Sequence, residues 1–458
     1  MLKGLEVSEV NYSETTNNKD FRIDSQFYTN VPIKNPNLLY KKIGELLKQT
    51  QYGISIEMNE ANIGYPIYRM NEIHDMLCDV EVGKCADITQ DEYSRFALYN
   101  RDVLFNRTNS FEWVGRTGMY YQNDNTKRTF ASYLVKLVPN TNEILPEYLC
   151  TFLNSKFGVC DIKRRARQSI NQTNVNPEEV KEIEIPILNM KLQEHIQKLF
   201  DLANEKRLES KRLYTAAEKL LLDELGLKDW HPENRNVNIK TLKDSFLSSG
   251  RLDAEYYQSK YDEIEQKLML SNNVDVLGNV CWINTENVIP QTGISHKYIE
   301  LANIKQNGEI SGCTFDLGEN LPTRARQVVK ENQVMVSSVE GSLQSCALVS
   351  KEYDGAFCST GFYVVKSDLI NSETLLVLLK LEPIQQLFKK VCSGTILTAM
   401  NIEQFRNVLL PIPNREIQSE ISSKIQKSFA LKAESKRLLE EAKLMVEKEI
   451  EKTGEISE

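Results

Sequence analysis

Two stretches of the chain repeat apolar residues at helical spacing for longer than any other segment. From about Gln193 to Leu225 the apolar positions are Ile196, Leu199 and Ala203, then Leu213, Ala217 and Leu220. From about Gln418 to Ile450 they are Ile421, Ile425 and Phe429, then Leu438, Ala442 and Met445. Both stretches are rich in Leu, Ala, Glu and Lys and lack Gly and Pro, so each predicts one long helix. Polar residues between the apolar ones leave only a narrow seam, which is the pattern of a coiled coil. Pairing the two helices with each other buries both seams; packing each only on its own globular domain is the alternative.

The remaining pattern is shorter in period. Val103-Leu104-Phe105, Tyr133-Leu134-Val135 and Phe362-Tyr363-Val364-Val365 read as strands between Gly, Asn and Asp turns. Helical stretches follow around Glu147 to Leu153 and Thr374 to Lys380, then a Pro-marked edge ending at Pro186 or Pro413. This order of parts occurs twice because the chain is a tandem duplication. Glu209-Ser210-Lys211-Arg212-Leu213 recurs unchanged as Glu434-Ser435-Lys436-Arg437-Leu438. At the same offset Ile185-Pro186-Ile187 matches Leu410-Pro411-Ile412, and Leu192-Gln193 with Ile196 matches Ile417-Gln418 with Ile421. Thr173 and Asn176 match Thr398 and Asn401, and Met70 with Ile73 resembles Leu301 with Ile304. Near the start of each copy, Arg22-Ile23-Asp24-Ser25-Gln26-Phe27-Tyr28 resembles Arg251-Leu252-Asp253-Ala254-Glu255-Tyr256-Tyr257. Small drifts in offset are what insertions in surface loops produce.

Composition narrows the class. At 458 residues, 41% apolar and 26% charged, the chain reads as two or three soluble globular domains. The opening MLKGLEVSEV has no basic segment followed by an apolar run, and runs such as Leu220–Leu222 and Leu375–Leu379 are too short to cross a bilayer. The expectation is a cytoplasmic protein without a membrane partner. Nine scattered cysteines form no Cys-x-x-Cys pair, and His74, Cys78 and Cys85 read as unrelated side chains rather than a zinc site. An adenine methyltransferase would show an Asp/Asn-Pro-Pro-Tyr/Phe tetrad, which Asn35-Pro36-Asn37-Leu38 breaks at its last two positions. There is no phosphate-binding Gly-rich loop and no Ser or Cys motif near the four histidines. The chain therefore reads as non-enzymatic, with no metal and no cofactor of its own.

Asp102-Val103-Leu104-Phe105-Asn106-Arg107-Thr108-Asn109-Ser110, followed by Val114-Gly115, resembles a segment of the target-recognition domains in type I restriction–modification specificity subunits. A Thr- and Asn-containing loop leading to a Pro-marked edge and then a Gln is similar to that family as well. Here it runs from Thr173 to Pro186 with Gln193, and from Thr398 to Pro413 with Gln418. The first copy departs at Leu188, where a second Pro would stand, and the second reads Gln333-Val334-Met335-Val336-Ser337-Ser338 in place of the Asp102 motif. The resemblance implies an α+β fold: two tandem-duplicated mixed α/β globular domains separated by two long α-helices that form an antiparallel coiled coil. The implied boundaries are 1–185 for the first recognition domain, 186–230 for the first helical spacer, 231–413 for the second domain and 414–458 for the second spacer. Duplication also implies a pseudo-twofold axis, with the end of the second helix close to the first domain's opening segment. The implied partners are double-stranded DNA, two modification (methyltransferase) subunits carrying S-adenosylmethionine, and restriction subunits that translocate and cleave. Each domain would read one half of a bipartite site, and the helices would set the spacer.

Candidate DNA contacts follow from charge and hydrogen-bonding chemistry. The densest basic run, Lys163-Arg164-Arg165-Ala166-Arg167, stands just before a loop carrying Asn171 and Thr173. The corresponding place in the second copy carries Lys389, Lys390, Ser393 and Thr395. Arg107 and Arg116, with Asn109, Lys127 and Arg128, rank second in the first copy; Arg324 and Arg326, with Lys330, form a patch in the second. Asn109 reads as a turn residue, and Phe111 and Trp113 as core residues, with stacking on a base or wedging into DNA the alternative. The net charge of −8 suits a subunit that shares its phosphate contacts with partners. It also leaves open a scaffold whose paired helices recruit proteins and whose globular domains do not touch DNA.

Overall fold

The two long amphipathic stretches form single helices, Met190–Glu224 of 35 residues and Arg415–Glu451 of 37. Each starts three residues before the first predicted position, and each spans roughly 50–55 Å. The computed structural model describes residues 9–17, 21–170, 172–233, 235, 237–271, 273–394 and 398–452. The chain divides into two compact units, 1–208 with 432–458, and 209–431. Each unit thus contains half of each long helix.

In the first unit, the central sheet runs in the order Leu47–Tyr52, Leu134–Pro139, Val103–Asn106, Thr117–Met119, Leu77–Cys78, Ile73–His74. The Asp102 motif supplies its middle. Asp102 accepts from the Tyr99 amide at 2.8 Å and lies 3.6 Å from the buried Lys136 ammonium on the neighbouring strand. Val103, Leu104 and Phe105 are fully buried. Gly115 is required where the motif turns back: its φ is +89°, and a Cβ would stand 2.4 Å from Ile162. The helices Pro146–Asn154 and Lys156–Arg165 pack on this sheet, and Ile196, Phe200 and Ala203 of the first long helix join the same core as Leu438, Ala442 and Val446 of the second.

The second unit repeats the plan. Its sheet runs Trp282–Ile283, Phe362–Lys366, Val334–Ser337, Cys346–Leu348, covered by the helices Ser372–Lys380 and Glu382–Val391. Ala217 and Leu221 share a core with Ile421 and Ile425. The fold is therefore α+β and duplicated, with the long helices antiparallel. In the first unit Ser435 Oγ donates to the Ala203 carbonyl at 2.7 Å, and in the second Ser428 Oγ donates to the Ser210 carbonyl at 2.7 Å. The buried stripe is wider than the predicted seam and shifts along it: Phe200, Leu221 and Val446 are fully buried, whereas Leu220 and Met445 are only partly so.

Matched devices fasten each unit. Gln193 Oε1 accepts from the Leu145 amide at 2.9 Å, ahead of the helix that begins at Pro146, and its Nε2 donates to the Leu188 carbonyl at 2.9 Å. Gln418 does the same with the Asn371 amide at 2.9 Å and the carbonyls of Pro413 at 2.9 Å and Leu369 at 3.0 Å. Arg22 forks onto Asp24 and donates to the Arg165 carbonyl at 2.8 Å; Arg251 forks onto Asp253 and donates to the Cys392 carbonyl at 3.2 Å. Asn35 Nδ2 donates to the carbonyls of Ile450 at 2.9 Å and Lys452 at 2.7 Å, so the second helix does end beside the first domain's opening segment.

The second Pro-marked edge corrects the sequence reading: the strand is Leu409–Pro411 and does not extend to Pro413. Ile412 N still donates to Asn273 O at 2.9 Å, but Pro413 has no N–H with which to continue. Replacing Gln418 by Leu leaves the Asn371 amide and two carbonyls without their partner. We expect a loss of about 2 kcal/mol or more, read as faster hydrogen exchange in the helix Ser372–Lys380. The exposed change Gln426→Ala should stay within about 0.5 kcal/mol.

Candidate nucleic-acid interface

The Asp102 motif and the loop after the basic run, far apart in the chain, meet in one small antiparallel sheet, Arg167–Gln168, Thr173–Asn174, Thr108–Asn109. Thr173 pairs with Asn109 and Asn174 with Thr108, and Thr108 Oγ1 donates to Asn174 Oδ1 at 2.6 Å. Between strands 103–106 and 108–109, Arg107 donates its amide to the Tyr133 carbonyl at 3.0 Å and accepts from the Val175 amide at 2.9 Å. Its guanidinium lies over the half-exposed Tyr52 ring at 5.2 Å. Asn109 Oδ1 accepts from the Ser110 amide at 2.8 Å, a turn contact. Thr173 is buried in the ladder, whereas Arg167, Gln168, Ser169 and Ile170 are exposed. Asn171 lies outside the described residues.

The basic run divides by helical phase. Lys163 points its ammonium at the carbonyls of Phe111, Glu112 at 3.0 Å and Val114 at 2.9 Å, closing the turn ahead of Gly115. Burial pushes that ammonium down to about 8, against the opposing charge of Glu112. Arg164 pairs with Asp161 and donates to the Phe27 carbonyl at 2.9 Å. Arg165 is buried, held by Asp161 at 3.0 Å and Glu179 at 2.7 Å. These three side chains build the platform, and Arg167, beyond the helix end, is the one that reaches the surface. Phe111 and Trp113 are exposed rather than core. Their turn stands outside the sheet, where Lys163 covers Phe111 at 5.1 Å and Arg116 covers Trp113 at 3.9 Å. Lys127 is exposed, whereas Arg128 is buried on Asp124 at 2.6 Å.

The second unit builds the same platform. Cys392–Ser393 pairs with Ala399–Met400, which in turn bridges Val339. Ser393 is exposed, and Thr395 lies outside the described residues. Lys389 is exposed with Glu340 at 4.0 Å. Lys390 is half-buried over the Tyr256 ring at 5.2 Å and paired with Glu265. Arg326 Nε donates to Thr323 O at 2.8 Å, while the exposed Arg324 has no side-chain partner among the described residues. Tyr298, Ser337, Ser345 and Ser359 stand around Arg324 in one cleft. The sequence reading did not single them out, because isolated hydroxyls spread over separate strands carry no local pattern.

Lys163→Met removes the donor to three carbonyls and should lower stability by about 1–3 kcal/mol. Arg167→Ala should leave it within about 0.5 kcal/mol. Thermal unfolding of the two variants checks the division; equal losses would contradict it.

No helix among the described residues is long and apolar enough to cross a membrane. No family model matches the chain. Two curated relatives do. It is 29% identical over 163 residues to the MjaX type I restriction enzyme specificity subunit of Methanocaldococcus jannaschii, covering 35% of this chain and 37% of that protein. It is 28% identical over 120 residues to the EcoKI specificity subunit of Escherichia coli, covering 26% of each. The matched segments thus span well under half of those relatives' lengths. Among solved structures, the S subunit of a type I system from M. genitalium aligns over 93% of this chain and 100% of its own, with a TM-score of 0.42 and 14% identity. The HsdS subunit of Thermoanaerobacter tengcongensis aligns over 91% and 97%, with a TM-score of 0.30 and 14% identity. Over 35% of its length, then, this chain is related in sequence to the specificity subunits of type I restriction–modification systems.

Proposed function

We propose that the chain is a non-catalytic specificity subunit that selects a bipartite DNA sequence for separate methyltransferase subunits. The observation that carries this reading is the repetition of one surface platform in both units, joined to the sequence relation to specificity subunits. Residues 1–185 and 231–413 would be the recognition domains, and 186–230 and 414–458 the spacers. In the first domain Arg107, Arg116 and Arg167, with Asn171, would face DNA, while Lys163, Arg164, Arg165 and Thr173 shape the surface behind them. In the second, Arg324, Arg326, Lys389, Ser393 and Thr395 would do so, with Lys390 held inside. Two modification subunits would bring S-adenosylmethionine and the methylation chemistry, and restriction subunits would join for cleavage.

A second reading, a protein-recruiting scaffold that does not touch DNA, draws support from two facts. The net charge is −8, and most of the basic run is spent on internal contacts. Methylation sequencing of host DNA with this gene intact and deleted separates the two. The specificity-subunit reading expects N6-methyladenine to vanish at one two-part motif on deletion. Unchanged methylation, with the neighbouring methyltransferase expressed, would favour the scaffold.

The helices supply a further expectation. Half-sites one DNA turn apart are separated by about 34–36 Å, within the roughly 50–55 Å of each helix. Lengthening both helices by one turn should change the unspecified spacer in the methylated motif, and an unchanged spacer would remove their role as a ruler.

A further inference from the structure

Arg107 and Ser338 occupy the same backbone position in their respective units. Arg107 N donates to Tyr133 O at 3.0 Å and Arg107 O accepts from Val175 N at 2.9 Å; Ser338 N donates to Gly361 O at 2.9 Å and Ser338 O accepts from Met400 N at 2.7 Å. The side chains differ sharply in size. In the first unit the place is filled by a guanidinium over Tyr52, and its cross-strand neighbour Tyr133 carries a ring. In the second unit Ser338 turns its hydroxyl back to the Gly361 carbonyl at 2.9 Å, and Gly361 has no side chain.

The second unit has a cleft of about 610 Å³ here. Tyr298, Arg324, Ser337, Ser345, Ser359 and Phe362 line it. The Arg324 guanidinium is exposed and has no hydrogen-bond or ion-pair partner among the described residues. The Tyr298 ring is buried, and its hydroxyl also lacks a partner there. Glu300 lies at the same cleft, but its carboxylate is engaged by the Asn303 amide in a capping box. The cleft thus offers a planar cationic fork at Arg324, while Ser337 Oγ is engaged by Ser342 Oγ at 2.8 Å and Ser359 Oγ accepts from the Gly361 amide at 3.1 Å.

We propose that this cleft is where the second unit reads its half-site, with Arg324 donating to the O6 and N7 of a guanine in the major groove. The inference rests on the specificity-subunit reading and adds a base and a side chain to it. An arginine fork matches the two acceptors on the guanine edge, whereas a lysine ammonium presents a point charge without the parallel pair of donors. A phosphate can take the same fork bidentately but carries no base identity, so relaxation at one base position distinguishes the two. Arg324 is exposed and unpartnered, so replacing it leaves the fold's own contacts intact.

The test uses the full chain with its host methyltransferase and compares wild type, Arg324→Ala and Arg324→Lys by methylation sequencing. A guanine in one half-site of the wild-type motif, with that position relaxed about tenfold or more in both variants and the other half-site unchanged, is the expected result. A wild-type second half-site without guanine, or a motif unaltered in both variants, would overturn the inference and leave the specificity-subunit reading standing. A loss spread evenly over all sites in Arg324→Ala and restored by Arg324→Lys would mark a phosphate contact, and overturn it too. Where methylation falls below detection, binding of the purified complex to duplexes differing only at that base reads the same ratio. Absence of any gene-dependent motif in wild type would instead bring down the specificity-subunit reading, before any variant is compared.

Discussion

Within each unit the two long helices are joined by a serine hydroxyl that donates to a backbone carbonyl on the opposite helix, Ser435 to Ala203 in one and Ser428 to Ser210 in the other. Such a bond forms only where the side chains between two helices are small enough for the backbones to come close. Here those residues are Ala and Ser. In the second unit Ser210 Oγ also lies 3.0 Å from Ser428 Oγ, so the crossing is satisfied from both sides. A buried hydroxyl without a partner costs about 1–3 kcal/mol, so sliding one helix along the other is penalised at each crossing. The register then places Gln193 and Gln418, whose amides secure the helices Pro146–Asn154 and Ser372–Lys380, and these in turn carry the sheets. The small surface sheets of Arg167–Gln168 and Cys392–Ser393 lie at the far end of that chain of contacts.

Duplication separates what holds the structure from what is free to vary. The Arg22–Asp24 and Arg251–Asp253 forks and the two glutamines occur in both copies with closely similar contacts, and each copy has a serine crossing, with donor and acceptor exchanged between matching positions. The position shared by Arg107 and Ser338 keeps its backbone bonds and changes its side chain completely. A fastening residue has partners on every side and tolerates little change. The side chains at the Arg107 and Ser338 position make few contacts, Arg107 with the Ser132 carbonyl and the Tyr52 ring and Ser338 with the Gly361 carbonyl, so the position can diverge without loss of the fold.

Charge is used in the same economical way. The densest basic run in the chain spends Lys163, Arg164 and Arg165 on carbonyls and carboxylates of its own unit. Exposed cations such as Arg167, Lys127, Lys389 and Arg324 lie apart from one another along the chain. A surface with its cations spread in this way offers little concentrated positive charge for phosphate, in keeping with the acidic net charge.

While the α+β class came with the family resemblance, the sequence by itself determined the duplication, both long helices and the strand at Val103, because periodicity and repetition can be read along the chain. It marked Arg107, Arg116 and Arg324 as candidates by residue type alone. Only the tertiary structure decided that Lys163 and Arg165 face inward while Phe111 and Trp113 face outward. A helix of ten residues presents every face, and its neighbours choose which is buried. The same holds for the cleft at Arg324, whose hydroxyls come from two different sheets and a loop that only tertiary packing brings together. The meaning of the repeated Glu-Ser-Lys-Arg-Leu was likewise hidden: its serine marks a helix crossing, which becomes visible only once the opposite helix is in place.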